Sequence, residues 1–301
     1  MYGDGYKPDK EKTHMPRVSV LMPIWNTRDD HLREAIESIL NQTYEDFEFL
    51  ILNDSPDNTA LGDIVASYAD ERILYTVNEK NLGISRSRNR LLKAARGEYV
   101  AIFDHDDISE PERLQRQVEY LDANPEVGVL GVGMREYSSG KIVIQPENDT
   151  EIRLGLMWGC MVSHSAAMVR RDLLERHGIC YEERFTPSED YALWCRLIPH
   201  TRFHNLPDVL FNYRVHASNT SKRMEEQMTV ATYAVRAFAA TDNPELYNEY
   251  LMRAEHVTRV RLFGFLPLLK IVRSGIRIKV YLFDHILLYA AKKVIKMPSK
   301  G

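Results

Sequence analysis

Phe103-Asp104-His105-Asp106-Asp107 is the stretch of this 301-residue sequence whose residue types and spacing most directly imply chemistry. An apolar run delivers three carboxylates into one loop. Crowded carboxylates repel one another and are costly to desolvate, so such a cluster usually holds a cation or a hydroxyl-rich ligand. Aspartates at i and i+2 on extended chain can reach one hard divalent ion. Mg2+ or Mn2+ suits such a site, because both prefer oxygen donors, phosphate oxygens of a substrate included. Capping the helix that opens at Ser109-Glu-Pro-Glu would account for one of the three acids. A second acidic pair, Glu189-Asp190, follows Ser188 at the start of a helical pattern carrying Leu193, Trp194 and Leu197, where acids either complement the helix dipole or face a ligand. Arg86, Arg88 and Arg90 put positive charge at the start of another helix, a setting that favours anions such as a diphosphate. At that spacing they cannot share one face, and Arg88 is the expected cleft residue. Asp54, in Asn53-Asp54-Ser55-Pro56-Asp57, is either an acceptor for the imide N–H of a base or the acid of an Asx turn.

These groups need elements to position them. Val18–Met22 reads as a buried strand stopped by Pro23, and Leu32, Ala35, Ile36, Ile39 and Leu40 then recur at helical spacing. Strand patterns return at 47–52, 73–77 and 99–103, with helices at about 59–68 and from Gly83 to Gly97 between them. Such alternation implies an α/β fold with a mostly parallel sheet covered on both faces, and ligands bind beyond the carboxyl ends of its strands. Asn26, Asp54, Asn81 and the Asp104 loop each follow a strand end and so can converge on one cleft. Past Glu126 the pattern changes to strands near 127–134, 142–144 and 166–169 mixed with short helices, a half suited to a second ligand. From Lys222 the sequence reads as helical nearly to its end.

Composition bounds the alternatives. Hydrophobic residues at 44% and charged residues at 27% allow a sizeable core and exclude a disordered chain. Cys160, Cys180 and Cys195 are odd in number and widely spaced, which argues against a disulfide framework or a cysteine zinc site and for a reducing, cytoplasmic setting. The first fifteen residues form a polar leader without the apolar core of a secretion signal. No run approaches the ~18 uncharged apolar residues of a spanning helix. Gly131-Val-Gly133 does not complete a dinucleotide fingerprint and no P-loop is present, which removes dehydrogenase and ATPase readings. The net charge of −4 conceals an asymmetry: residues 253–301 carry +9 and the remainder −13. An acidic body makes nucleic acid an unsuitable partner.

Four stretches together carry a resemblance: Val18-Ser-Val-Leu-Met-Pro-Ile-Trp-Asn26; Leu50-Ile-Leu-Asn-Asp-Ser55; Asn81-Leu-Gly-Ile-Ser-Arg-Ser-Arg-Asn89 leading to Arg96-Gly-Glu-Tyr-Val-Ala-Ile-Phe-Asp-His-Asp-Asp107; and Ser188-Glu-Asp-Tyr-Ala-Leu-Trp194. In order and spacing the chain resembles glycosyltransferase family 2, inverting nucleotide-sugar enzymes with the GT-A fold. The resemblance spans about 16–220 and implies a nucleotide-sugar half (16–126) and an acceptor half (127–220). It implies that Pro23 and Asn26 line the nucleotide pocket and that Asp54 bonds the base, with Arg88 and Asn89 near the nucleotide. The family's DxD falls on Asp104 and Asp106, with His105 in place of the usual small middle residue. Glu189-Asp190 resembles the family's acidic pair, which makes Asp190 the general base. Tyr213-Arg-Val-His216 resembles a segment in which some members place a histidine by the metal or diphosphate. His216 is accordingly either a third ligand to the divalent metal or a loop hydrogen-bonder. His164 and Trp194 are better read as packing residues.

The implied activity is transfer from a nucleotide-diphospho-sugar, UDP-linked, to a glycan or lipid-linked acceptor in surface-polysaccharide synthesis. A sugar-nucleotide pyrophosphorylase would want a glycine-rich basic loop after the first strand, which Pro23-Ile-Trp-Asn26 does not offer. A non-catalytic sugar-nucleotide-binding membrane adaptor is disfavoured by the presence of Asp104, Asp106 and Asp190. The tail, 221–301, reads as a basic, amphipathic helical region in which Val260, Leu262, Phe263 and Leu268 recur twenty residues on as Val280, Leu282, Phe283 and Leu288. Such stretches bind anionic membrane surfaces, here the inner face of the cytoplasmic membrane, or else pack on the catalytic part or form an oligomer contact.

Overall fold

A computed structural model describes residues 15–216, 219–253, 255–262, 266–274, 277–282 and 286–292. Of the sequence features above, the leader through His14, Phe263 and Phe283 lie outside the described residues. The chain divides into two compact units, 1–237 and 238–301.

The first unit begins with β1 (Val18–Ile24), α1 (Asp29–Leu40), β2 (Phe47–Asn53), α2 (Ala60–Ala66), β3 (Ile73–Val77), α3 (Ile84–Ala94) and β4 (Tyr99–Ile102). It continues with β5 (Ile108–Ser109), α4 (Arg113–Ala123), β6 (Val127–Glu136), β7 (Ile142–Val143), α5 (Asp149–Gly155), β8 (Met168–Arg170), α6 (Arg171–His177), α7 (Glu189–Leu197), β9 (Arg202–Tyr213), α8 (Thr220–Arg223) and α9 (Glu225–Asp242). The sheet runs β3-β2-β1-β4-β8-β6-β9-β5, with β7 pairing β6 off this path. β3, β2, β1 and β4 are mutually parallel, β8 is antiparallel to both neighbours, and β6 and β9 are parallel.

β1 and β2 are buried along their whole length, as strands covered on both faces must be. Leu32, Ala35, Ile36 and Ile39 of α1 are fully buried and join Met22, Phe49 and Phe103 in the main core. Each large side chain so buried contributes about 1.5–3 kcal/mol. β1 does not stop at Pro23; it runs on to Ile24, pairing Pro23 with Leu52. Strand alternation explains the tolerance. The Leu21 carbonyl faces β4 and the Ile24 carbonyl faces β2, so the N–H that Pro23 lacks belongs on the β4 side, where pairing has already ended.

β9 has no counterpart in the sequence reading. Polar residues and Pro207 obscure its period, and its register against β6 slips where Leu206 pairs Val132 and Val209 pairs Gly133. A Cβ at Gly133 would lie 3.1 Å from the Pro207 carbonyl oxygen and 3.0 Å from that of Asp208, so glycine makes room for the bulge.

In the second unit, helix persists only through α10 (Pro244–Arg253), which corrects the expectation of helix to near the terminus. Beyond it lie four antiparallel strands, β10 (Glu255–Leu262), β11 (Leu266–Ser274), β12 (Arg277–Leu282) and β13 (Ile286–Lys292). The twenty-residue repeat is thus a repeated hairpin. Its sequence alternates cation with apolar residue (Arg259-Val-Arg-Leu262, Arg277-Ile-Lys-Val280), the period of a strand.

Candidate active site

One cleft of about 410 Å³ opens at the carboxyl ends of β1 and β4, and its lining includes Pro23, Asn26, Arg88, Asp104, His105, Asp106, Glu189, Asp190 and His216. Residues separated by most of the unit's length therefore meet. Asn26 sits at φ 44°, a left-handed conformation that asparagine tolerates, and its N–H donates to Ser55 Oγ at 3.1 Å. This turns the chain out of β1 and into the cleft wall.

Arg88 is the electrostatic centre. It projects from α3, buried, and donates to Glu189 at 2.7 Å and to Asp104 at 3.1 Å. Burial works against its charge, but Asp104 and Glu189 overcome that and raise its proton affinity above the ordinary guanidinium range. Burial would likewise raise the Asp104 carboxyl, yet Arg88, with further help from a hydrogen bond donated by Ser165 at 2.7 Å, holds it at about 2. Of the three clustered arginines Arg88 alone lines the cleft. Arg86 pairs with Glu183 on the surface and Arg90 with Asn78.

Asp190, in the first turn of α7, behaves differently. Burial, reinforced by the neighbouring Glu189 charge, pushes its carboxyl up to about 6 despite Arg88. It is thus a base poised near neutrality, whereas Glu189 is committed to Arg88.

Asp106 and His216 form the third group. His216 Nε2 lies 2.8 Å from Asp106 Oδ2, and Asn219 Nδ2 is 3.4 Å from the same oxygen. A carboxylate and an imidazole on a cleft wall are donors that could hold a divalent ion, which would there supply positive charge. The expected three-ligand set is not assembled, because Asp104 is turned to Arg88 and Ser165. Among the described residues no three acidic, histidine or cysteine side chains form a ready-made cation shell. His105 lines the cleft, and its Nδ1 is buried without a hydrogen-bond partner.

Three residues expected near the nucleotide are engaged in hydrogen bonds within the protein. Asp54 is buried and accepts from Leu82 N–H at 2.7 Å, Gly83 N–H at 2.9 Å and Asn78 Nδ2 at 2.6 Å. Its carboxylate thus anchors the loop entering α3, where Gly83 takes φ 83°, and is not among the cleft-lining residues. Asn81 donates to the Asp54 carbonyl at 3.2 Å. Asn89 exchanges hydrogen bonds with the Tyr181 backbone, donating at 2.8 Å and accepting at 2.9 Å. Asp54 and Asn81 thus hold the loop entering the helix of Arg88, and Asn89 ties the middle of that helix to the Tyr181 backbone. His164 and Trp194 pack as expected: His164 bonds the Tyr181 hydroxyl at 2.8 Å, and buried Trp194 donates to the Val162 carbonyl at 3.2 Å.

The sequence reading missed other contributors. His31 and Trp25 line the cleft, the first 5.3 Å from the His216 ring, the second with Arg223 stacked 5.0 Å from its ring centroid. Arg113 is fully buried between the Phe103 and Phe211 rings and donates to the Ser165 and Ile102 carbonyls, gripping both flanks of Asp104. Burial, only partly opposed by Asp107, lowers its pKa to about 9. A cation at the first position of a helix carries no local signal of that role.

Residues 19–178, more than half of the chain, match the profile described as glycosyl transferase family 2. The chain belongs to that family. It is a glycosyltransferase, and inversion at the transferred sugar is typical of its relatives. An uncharacterised glycosyltransferase of Methanocaldococcus jannaschii is 33% identical over 235 residues, covering 73% of this chain and 79% of its own. The O-antigen biosynthesis glycosyltransferase WbnJ of Escherichia coli is 31% identical over 231 residues, covering 73% and 88%. Among solved structures, the transferase superposes on Staphylococcus aureus TarS 1-349 in complex with UDP at a TM-score of 0.62 and 20% identity, over 79% of this chain and 71% of that one. The fold is GT-A. A mannosyltransferase from Pyrobaculum calidifontis in complex with GDP-Man and Mn2+ aligns with a TM-score of 0.54 and 19% identity, over 79% and 74%.

Proposed function

We propose that this transferase moves a sugar from a UDP-linked donor to a hydroxyl of a glycan or lipid-linked acceptor in surface-polysaccharide synthesis. The observation that carries the reading is Asp190, a carboxylate raised to about 6 in the same cleft as the Arg88–Asp104 pair and the Asp106–His216 pair. In the reaction Asp190 takes the acceptor hydroxyl proton as that oxygen bonds the anomeric carbon from the face opposite the leaving group. The bond from that carbon to the diphosphate oxygen breaks, and its electron pair leaves with the nucleoside diphosphate. A divalent cation, held by Asp106 and His216, would neutralise charge building on the diphosphate. Glu189 keeps Arg88 in place, and Arg88 keeps Asp104 ionised at the cleft floor. Residues 16–126 serve the donor and 127–220 the acceptor.

The relatives' printed roles, O-antigen and amylovoran biosynthesis, support a polysaccharide product, and the UDP complexes of a structural neighbour support the donor class. No helix among the described residues is long and apolar enough to cross a membrane. We place the chain at the cytoplasmic face of an anionic membrane through its basic second unit. The test is a donor panel with Mn2+ or Mg2+, following released nucleoside diphosphate. Turnover with a UDP-sugar that chelation abolishes supports the reading, whereas full turnover by Asp190→Asn removes the base.

A further inference from the structure

Two of the most exposed aromatic side chains in the first unit stand together, outside the set of residues that line the cleft. Trp158 is 54% exposed and Tyr233 is 63% exposed, and the Arg236 guanidinium carbon lies 4.0 Å from the indole centroid and 5.2 Å from the phenol centroid. The Arg236 Nε is buried without a hydrogen-bond partner, and the guanidinium also lies against the Tyr191 hydroxyl. The cation bridges the two rings, each of which keeps an apolar surface open to solvent.

Its position is tied to the base. The Tyr191 hydroxyl, one residue beyond Asp190, donates to the Leu156 carbonyl at 2.6 Å and so pins the turn that carries Trp158. Ser188, at the cap of α7, lies 3.2 Å from the Thr232 hydroxyl and 3.4 Å from the Met228 carbonyl, which pins the stretch of α9 that carries Tyr233 and Arg236. Cys160, two residues past Trp158, and Met228 both line the cleft. The aromatic pair therefore sits at an offset fixed by the helix that carries Asp190.

We propose that Trp158, Tyr233 and Arg236 form an outer acceptor subsite that holds a pyranose ring adjoining the one whose hydroxyl Asp190 deprotonates. This rests on the transferase reading above. A pyranose presents a face of C–H groups that stacks on an indole or phenol, and its ring hydroxyls or a sugar carboxylate satisfy guanidinium N–H donors. An alkyl chain would leave those donors desolvated and unpaired, so the chemistry favours a saccharide over a lipid tail. The acceptor is thus at least two sugars long.

The full chain, labelled with 5-fluorotryptophan, has three resonances, from Trp25, Trp158 and Trp194; Trp158→Phe identifies the second. Titration is with a panel of neutral and acidic mono-, di- and trisaccharides. We expect a disaccharide or trisaccharide to move the Trp158 resonance at concentrations about tenfold below its component monosaccharides. Trp158→Ala and Arg236→Met should weaken that saccharide about tenfold, read by saturation-transfer NMR. Slow hydrolysis of UDP-sugars, which needs no acceptor, should match wild type in both variants and also reports that they fold. A Trp158 resonance moved by no saccharide in the panel overturns the subsite. So does one that shifts only with protein concentration, which would make the patch a contact between copies. A saccharide that moves the Trp158 resonance yet receives no sugar from any UDP-linked donor would leave a saccharide-binding surface and overturn its role as an acceptor subsite.

Discussion

Replacing Asp190 by asparagine should inactivate the enzyme and stabilise it. The carboxyl is pushed up from 3.8 to about 6 by burial and by the Glu189 charge, so the native state binds its proton more tightly than the unfolded chain does. Stability therefore falls as pH rises through the window from about 4 to about 6, and above it the penalty is constant. Two pK units correspond to about 3 kcal/mol if the site were sealed. The carboxyl borders an open cleft, so roughly half of that, about 1.5 kcal/mol, is the working expectation. Asparagine keeps the shape and the oxygen that accepts the Tyr191 N–H, but carries no charge to desolvate. In urea denaturation followed by tryptophan fluorescence, Asp190→Asn should exceed wild type by about 1.5 kcal/mol at pH 8, a rise of about 3–6 °C in Tm, with the gap closing toward pH 4. A variant less stable than wild type at pH 8, or a gap independent of pH, would refute the claim that Asp190 is held against desolvation. In turnover, wild-type kcat/KM should climb with pH through about 6, and the variant should lose about 10²–10⁴-fold.

The remaining predictions concern the braces and the tail. Arg88→Met should cost about 3 kcal/mol, because it strands the Asp104 and Glu189 carboxylates without their shared cation; adding Glu189→Gln should recover part of that loss in the same denaturation assay. Asp54→Asn should lower stability by about 2 kcal/mol by breaking its grip on the Leu82 and Gly83 N–H groups, while leaving the preference for UDP- over GDP-sugars unchanged; an altered preference at unaltered Tm would return Asp54 to the base. Truncation after Arg253 should lower binding to phosphatidylglycerol vesicles at least tenfold in a sedimentation assay, and undiminished binding would place the membrane contact elsewhere.

Much of the scaffold was written locally. The β1–β4 strands and the helices between them announce themselves because burial on both faces of a parallel sheet demands unbroken apolar runs, and a helix lying on it demands a stripe such as Leu32, Ala35, Ile36 and Ile39. The aspartate loop, Arg88 and the Glu189-Asp190 pair were legible for a related reason, since charge placed at a strand end or a helix start is unfavourable unless something uses it. What each group does with that charge was not legible. Asp54 and Asp104 both follow strand ends. Only the packing of α3 gives Asp54 two backbone N–H groups and gives Asp104 a guanidinium, and those partners lie 28 and 16 residues away in the chain. β9 was hidden because its bulge at Pro207 breaks the alternation that marks a strand, while pairing with β6 restores the hydrogen bonds that its own sequence does not advertise. The tail's short basic-apolar stretches fit a helical period as well as a strand period, and pairing between hairpins decides in favour of strand. Sequence by itself determined the strands and helices from β1 to β4 and where charge gathers, because propensity and periodicity act between near neighbours. Tertiary structure alone decided which carboxylate is paired, which is raised toward neutrality and which aromatic rings remain open, because desolvation and Coulomb energy depend on neighbours in space.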